Sequence, residues 1–162
     1  MPEARPKRFH EVSRAKAVAI VGLAASLLLG YIAWDRYLSP EARVRRALAG
    51  AAAAAEAADV ETFLSFFSSD YADFMNPDRA VFEASVRESF GRVDRMNVTL
   101  DPIEIEATGT EARATFDAVV VAIRGEERYV VLGAPFEPER LKAHLRREDG
   151  GWKIHRVELP SQ

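Results

Sequence analysis

The stretch that decides the fold is residues 145–154, LRREDGGWKI. Its centre, Asp149-Gly150-Gly151, is a strong hairpin signal, because Asp-Gly pairs adopt the positive φ angles that tight turns between strands need. The segment before it, residues 140–148, places apolar residues on one side at a period of two, and residues 152–159 follow as the last strand. The sequence therefore predicts that the chain ends in an antiparallel hairpin.

Alternation of apolar and polar residues extends upstream from this hairpin to residue 98. Residues 98–100 and 103–107 alternate in opposite phases on either side of Pro102, which predicts a bend or bulge there. Residues 111–123 form a long predicted strand that is apolar on both faces in its second half, and residues 128–132 form a shorter one. The sequence thus predicts four or five antiparallel strands.

The residues before the strands have a helical period instead. Ser39-Pro40-Glu41 is a helix start, with a hydroxyl cap, a proline at the first position and an acid in the first turn. Asp59 is predicted to cap a second, shorter helix, and Asn76 a third. Residues 68–76 are predicted to be irregular. Three helices followed by antiparallel strands define an α+β domain over residues 41–160.

An uncharged segment, residues 17–34, precedes this domain. A helix of that length spans about 27 Å at ~1.5 Å per residue, close to the thickness of the hydrocarbon core of a bilayer. Two other interpretations fit less well. A cleaved signal peptide needs a small residue where Tyr31 stands, and a buried core helix seldom lacks charges over such a length. The segment therefore predicts an uncleaved transmembrane helix.

The charges around this segment predict its orientation. Five basic residues precede it and four follow it closely, which favours an N-terminus on the inside. We expect a basic cytoplasmic tail (1–16), the transmembrane helix (17–34), a connector (35–40) and a domain (41–160) on the far side of the inner membrane, periplasmic in a bacterium. The lipid bilayer is accordingly a predicted partner.

Composition excludes several classes of function. Residues 35–162 carry seventeen basic and twenty-three acidic residues, and this net charge of −6 argues against nucleic-acid binding. The chain has no cysteine, which excludes disulfides, thiolate metal ligands and a thiol nucleophile. Phosphate-loop, dinucleotide-binding, zinc-protease and nucleophile-elbow motifs are missing from the sequence. We expect no cofactor, no bound metal and no nucleic-acid partner.

The order of elements and the closing hairpin resemble the nuclear transport factor 2-like superfamily, whose small bacterial members include SnoaL-like and DUF4440-type domains. The stretch that resembles it most is residues 146–159, and the break at residues 66–71 also fits. The resemblance implies a cone in which three helices pack on a bent antiparallel sheet around a pocket. A membrane helix followed by this fold also resembles the VirB8-like scaffolds of type IV secretion and the Mce-associated membrane proteins of actinobacteria.

The resemblance implies a pocket between the helices and the concave face of the sheet. Members of the superfamily include isomerases, dehydratases, hydrolases, ligand binders and scaffolds, so the fold alone does not choose among them. The pocket residues expected from this comparison are aromatic: Phe63, Phe67, Tyr71, Phe74, Phe82 and Phe116.

Candidates for acid–base chemistry lie near the implied pocket. Asp70, Tyr71 and Asp73 lie in the segment that borders the pocket in the resembled fold, and a carboxylate beside a phenol suits a base and a hydrogen-bond donor. The same residues are also accounted for as the polar end of a helix that faces water. Steroid-isomerase-like members carry their base at the position of Asn76, which cannot accept a proton at neutral pH. That mechanism therefore does not carry over.

Asp117 is a further candidate, because it is the only acid in the middle of the long apolar strand. It is predicted either to pair with Arg113, His144 or His155, or to lie on a solvated outer face. The two histidines stand at similar distances from the Asp149–Gly151 turn and are expected to lie near one another. Two histidines without a third ligand make a poor metal site.

The second apolar face of the long strand predicts a contact with another molecule. Val119, Val121 and Ile123 are expected to form a dimer surface, because exposed apolar patches favour association. We expect a non-catalytic role, in which the domain binds a small apolar ligand or partner proteins of the cell envelope. A pocket enzyme of the isomerase, dehydratase or hydrolase type and a VirB8-like secretion component are the alternatives.

Overall fold

A computed structural model of the chain describes residues 14–73 and 75–159, without the side chains of residues 14–21 and 35–38. The chain divides into two compact units, residues 1–38 and residues 39–162. In the first unit, the described residues form the helix α1 (Arg14–Leu38). The described residues of the second unit form three helices and six strands.

Helix α1 displays apolar side chains on its surface, and Leu27, Leu29 and Trp34 are each more than 60% exposed. Among the residues that the structure describes, no helix is both long and apolar enough to cross a membrane. The predicted transmembrane segment begins at residues 17–21, whose side chains lie outside the described part. Most of the predicted basic tail, residues 1–13, lies outside it as well.

The helices of the second unit are α2 (Pro40–Glu56), α3 (Val60–Ser65) and α4 (Arg79–Phe90). The first two begin as the sequence predicts: Ser39 Oγ accepts a hydrogen bond from the Ala42 amide at 3.1 Å, and Asp59 accepts one from Thr62. The predicted cap of the third helix is wrong. Its cap is Asp78, which accepts from the Val81 amide at 2.9 Å.

The strands are β1 (Phe67–Asp73), β2 (Arg95–Thr108), β3 (Glu111–Arg124), β4 (Glu127–Leu132), β5 (Glu139–Glu148) and β6 (Gly151–Glu158). Their order in the sheet is β1-β6-β5-β3-β2, with β4 also paired to β3. The predicted antiparallel sheet is corrected to a mixed one, because β1 runs parallel to β6. The expectation that residues 68–76 are irregular is wrong for residues 68–73.

The predicted bend in β2 is confirmed, since the pairing with β3 shifts between Leu100 and Ile103. The hairpin turn at the end of the chain is also confirmed: Asp149 and Gly150 have φ of 45° and 81°, and Glu148 pairs with Gly151. Helix α2 lies against the inner face of the sheet, where alternate residues of β3 are buried. This arrangement places the core of the domain between α2 and the sheet.

Candidate functional site

A cavity of about 220 Å³ lies between α2 and the inner face of the sheet. Every described side chain around it is apolar. Helices contribute Leu48, Ala51, Ala52, Ala55, Phe63 and Phe90, and strands contribute Phe67, Met96, Val98, Leu100, Phe116, Ala118, Val120, Leu132, Leu141, Ala143, Ile154 and Val157.

Small residues leave this space open. Helix α2 is rich in alanine, the residue with the highest helix propensity, and it presents Ala51 and Ala55 to the sheet. Opposite them, β3 contributes Ala118 and β5 contributes Ala143. The pleat of each strand directs these side chains inward. Methyl groups on both sides do not fill the gap between the two layers, so a cavity results.

Three phenylalanines form one wall of the cavity. Phe63 of α3 packs against Phe67 and Phe90, with ring centroids 4.8 and 5.2 Å apart and tilted planes. Tilted and edge-to-face geometries are the favoured arrangements of aromatic pairs. The cavity therefore has an aromatic wall on one side and an aliphatic wall on the sheet side.

The structure brings only part of the predicted aromatic set to this cavity. Phe63, Phe67 and Phe116 line it, whereas Tyr71 and Phe82 belong to an adjoining aromatic cluster. Their rings lie 4.3 Å apart and both contact Phe67. Phe74 lies outside the described residues. The alanine, valine and leucine lining was missed, although the inward phase of β3 already indicated Ala118 and Val120.

Tyr71 is tied into a hydrogen-bonded turn rather than facing the cavity. Its side chain is 3% exposed, and its hydroxyl donates to Asp73 Oδ2 at 2.7 Å. The other oxygen of Asp73 accepts from the amides of Met75 and Asn76 at 2.7 and 2.6 Å, and the Asn76 side-chain amide donates as well. Asn76 thus stabilises this turn, and its side-chain oxygen also accepts a hydrogen bond from the Ser85 hydroxyl.

The pKa values of this pair oppose a catalytic role. Burial and the hydrogen bond to Asp73 raise the pKa of Tyr71, so its phenol stays protonated. Burial raises the pKa of Asp73, but the hydrogen bonds from Tyr71 and Asn76 lower it by more, leaving it below its ordinary value. A carboxylate held ionised by several donors is a poor proton acceptor.

Asp70 belongs to a second polar cluster, at the edge where β1 meets β6 and β5. Its carboxylate accepts from Ser68 Oγ at 2.5 Å and from Arg146 at 3.0 Å, and Glu148 accepts from the same two partners. The hydrogen bonds from Ser68 and then Arg146 lower the pKa of Asp70. Its side chain is 60% exposed, so the group faces water.

Asp117 lies on the outer face of the sheet, where its carboxylate is 3.8 Å from Arg140. The ion-pair partner of Asp117 is therefore Arg140 rather than Arg113, His144 or His155. Arg113 pairs instead with Glu106, at 3.5 Å. The predicted proximity of the two histidines is confirmed, with ring centroids 6.1 Å apart.

Among the described residues, these histidines do not form a metal site with further ligands. His144 contacts Glu158 at 3.3 Å. Burial, and then the positive charge of Arg146, lowers the pKa of His155, which keeps its ring neutral near pH 7. Within residues 14–73 and 75–159, no group of three or more histidine, aspartate or glutamate side chains could hold a metal ion.

The predicted dimer surface is only partly available. Ile123 is 6% exposed and therefore buried within the domain, so it is corrected to a core residue. Val119 and Val121 are half-buried on the outer face, and Val130 of β4 lies directly across from Val121. Dimerisation through this surface stays a prediction.

Solved structures share the fold of this chain. A candidate scytalone dehydratase from Novosphingobium aromaticivorans is 18% identical, with a TM-score of 0.62 over 74% of this chain and 82% of that protein. Aln2 from Streptomyces is 17% identical, with a TM-score of 0.60 over 74% and 90%. An NTF2-like protein with a cystatin-like fold, also from Novosphingobium aromaticivorans, is 18% identical, with a TM-score of 0.55 over 91% and 89%.

At these identities the solved structures establish the fold and no activity. No curated protein matches the sequence. The profile of the SnoaL-like domain matches residues 36–158, which covers every strand and the three helices of the second unit. This chain belongs to the SnoaL-like domain family and has its NTF2-like α+β fold.

Proposed function

We propose that the domain binds a small apolar ligand in the cavity beneath α2 and does not transform it. The observation that carries the proposal is the chemistry of the lining, which among the described residues has no titratable side chain. Acid–base catalysis needs a proton donor or acceptor within hydrogen-bond reach of the reacting atom. A cavity of this kind binds a ligand only through van der Waals contact and through the burial of apolar surface away from water.

The dimensions of the cavity favour a ligand of one or two rings. An apolar protein cavity of roughly 150 Å³ stays dry and binds benzene, and this one has a volume of about 220 Å³. The tilted rings of Phe63, Phe67 and Phe90 suit the faces and edges of an aromatic ligand. Buried polar groups on a ligand would have no partner here, which disfavours polar molecules.

The alternative of a pocket enzyme finds its candidate residues engaged elsewhere. Tyr71 and Asp73 bond each other inside a turn, Asp70 pairs with Arg146, and Asp117 pairs with Arg140 on the outer face of the sheet. None of the four contributes to the described lining of the cavity. This separation between acid–base groups and cavity supports binding over catalysis.

Naphthalene binding tests the proposal, with an alanine pair on α2 as the matched variants. Ala52 lines the cavity, whereas its neighbour Ala53 faces solvent. We expect Ala52→Leu to fill the cavity and weaken naphthalene binding about tenfold or more, and Ala53→Leu to leave it unchanged. Ligand-observed NMR titration measures both. Equal affinities in the two variants would contradict a ligand in this cavity.

We further propose that α1 holds the chain at a lipid bilayer, with the basic tail in the cytoplasm and the domain outside. The exposed apolar side chains of α1, which include Leu23, Leu28 and Ile32, support this proposal, since a large exposed apolar surface marks a site that a membrane or another protein covers. Alkaline carbonate extraction of membranes tests it. Retention of the full chain in the pellet is expected, and release into the wash would overturn the anchor.

A further inference from the structure

Glu139 begins β5 beside the cavity, although its side chain is not part of the lining. Alternate residues of a strand face the same side of a sheet, and Leu141 and Ala143 of β5 both line the cavity. Glu139 is therefore in the cavity-facing phase. It pairs directly with Ala118 of β3, another lining residue. The Cβ atoms of such an antiparallel pair lie about 4.5–5.5 Å apart, so Glu139 is an immediate neighbour of the lining.

The cavity approaches the surface of the domain at this position. Ala118 and Ala143 are buried, whereas Glu139 and the lining residue Leu132 are half-buried. The end of β4 lies against the start of β5 here, because a Cβ on Gly133 would be 2.7 Å from the Glu139 amide nitrogen. Glu139 thus adjoins the lining where the apolar space meets water.

The basic residues closest to Glu139 along this part of the sheet are engaged or lie elsewhere. Arg140 projects from the outer face, where it pairs with Asp117 at 3.8 Å. Arg128 lies near the opposite end of β4, where it pairs with Ile123 of β3. In the part of the chain that the structure describes, no ion pair involves Glu139. Its carboxylate is therefore available to a cation that arrives with a ligand.

Two further carboxylates lie near this end of the cavity. Glu137 is exposed in the loop before β5, and the carboxylate of Glu56 accepts from the Val98 amide at 3.2 Å. Val98 lines the cavity and pairs with Val120, two residues along β3 from Ala118. A positively charged group at this edge is attracted by all three carboxylates, whereas a negatively charged group is repelled by them.

We infer that the ligand is an apolar amine, whose hydrocarbon body fills the cavity while Glu139 binds its ammonium group at the cavity edge. This inference rests on the proposed function and names the chemical class of its ligand. The ammonium group keeps its contact with water at the edge, so no charge is buried among the apolar side chains of the lining. The half-buried position of Glu139 strengthens the attraction, because the effective dielectric constant is lower there than in bulk water.

Three probes with the same ring system test this inference on the full chain: naphthalene, 1-naphthylmethylamine and 1-naphthylacetate. They are neutral, cationic and anionic at pH 7, and ligand-observed NMR titration measures their affinities at low ionic strength. Glu139→Gln removes the charge and keeps the shape of the side chain. Glu137→Gln is the matched control, because it changes the net charge equally at an exposed position two residues away.

We expect the amine to bind more tightly than the acetate, and Glu139→Gln to weaken binding of the amine about three- to fivefold without changing the affinity for naphthalene. Glu137→Gln should leave both affinities unchanged. An amine that binds no more tightly than the acetate, or an equal loss in the two variants, overturns the inference. A parallel loss of naphthalene affinity in Glu139→Gln also overturns it, because the residue then supports the cavity rather than a cation.

The neutral probe separates this failure from a failure of the proposed function. If naphthalene binds in the cavity and the preference for the amine is missing, only the present inference is overturned. If naphthalene does not bind in the cavity, the proposed function is overturned and this inference with it.

Discussion

Single glycines control the local geometry of this domain, and Gly133 does so at the end of β4. Its φ is +59°, and a Cβ placed there would lie 2.5 Å from the Ala118 carbonyl oxygen and 2.7 Å from the Glu139 amide nitrogen. Both neighbours are backbone atoms, which cannot turn aside as a flexible side chain does. Only glycine fits at this position without displacing the start of β5.

A pair of substitutions separates the two costs of replacing this glycine. Gly109 has φ of +62° but nothing near its missing Cβ, so Gly109→Ala carries only the conformational cost of roughly 1–2 kcal/mol. Gly133→Ala adds a backbone clash, and overpacking of this kind costs about 1–3 kcal/mol more. Urea unfolding should give the larger loss for Gly133→Ala, and equal losses in the two variants would refute the close approach.

Strand β1 shows how an element can depend on pairing rather than on its own sequence. Its residues, FSSDYAD, neither alternate cleanly nor favour a strand. It forms because its backbone pairs with β6 and because the Ile154 amide donates to the Phe66 carbonyl at 2.8 Å. Such partners are distant in sequence, so local reasoning predicted an irregular segment here.

The turn that joins β1 to α4 is predicted to be a cooperative unit. Asp73→Ala leaves the buried hydroxyl of Tyr71 without its acceptor, and we expect a loss of about 2–3 kcal/mol in the free energy of unfolding. Tyr71→Phe removes the hydroxyl and should cost about 1 kcal/mol.

A double-mutant cycle measured by chemical denaturation tests this coupling. The Asp73→Ala/Tyr71→Phe variant should lose less than the sum of the two single losses, because the unpaired hydroxyl is then gone. Strict additivity would mean that the two side chains do not share the hydrogen bond in solution.

Across the whole molecule, polar and apolar chemistry are segregated by the sheet. Its outer face carries ion pairs such as Arg113–Glu106 and Asp117–Arg140, while its inner face and α2 enclose an apolar space. The closing hairpin, the bend in β2 and two helix caps made the α+β fold predictable from sequence. The cavity lining was not, because an alanine has the same apolar character whether it faces a neighbour or an empty space.

The acid–base candidates also show what local sequence could not predict. Asp70 and Tyr71 are adjacent in sequence, yet one points into surface ion pairs and the other into a buried turn. Sequence proximity did not reveal this divergence, since the pleat of β1 and its parallel partner determine it. Chemistry and cavity are thereby separated, and the central claim about the molecule is that this apolar cavity binds a small apolar ligand.

Intermolecular nuclear Overhauser effects between naphthalene and the methyl-labelled full-length protein test that claim most directly. We predict contacts from the naphthalene protons to the methyl groups of Ala52, Val120 and Leu132, the side chains that face the cavity. Contacts confined to surface methyls, or saturating amounts of naphthalene without any contact to these three residues, would contradict an accessible apolar binding cavity.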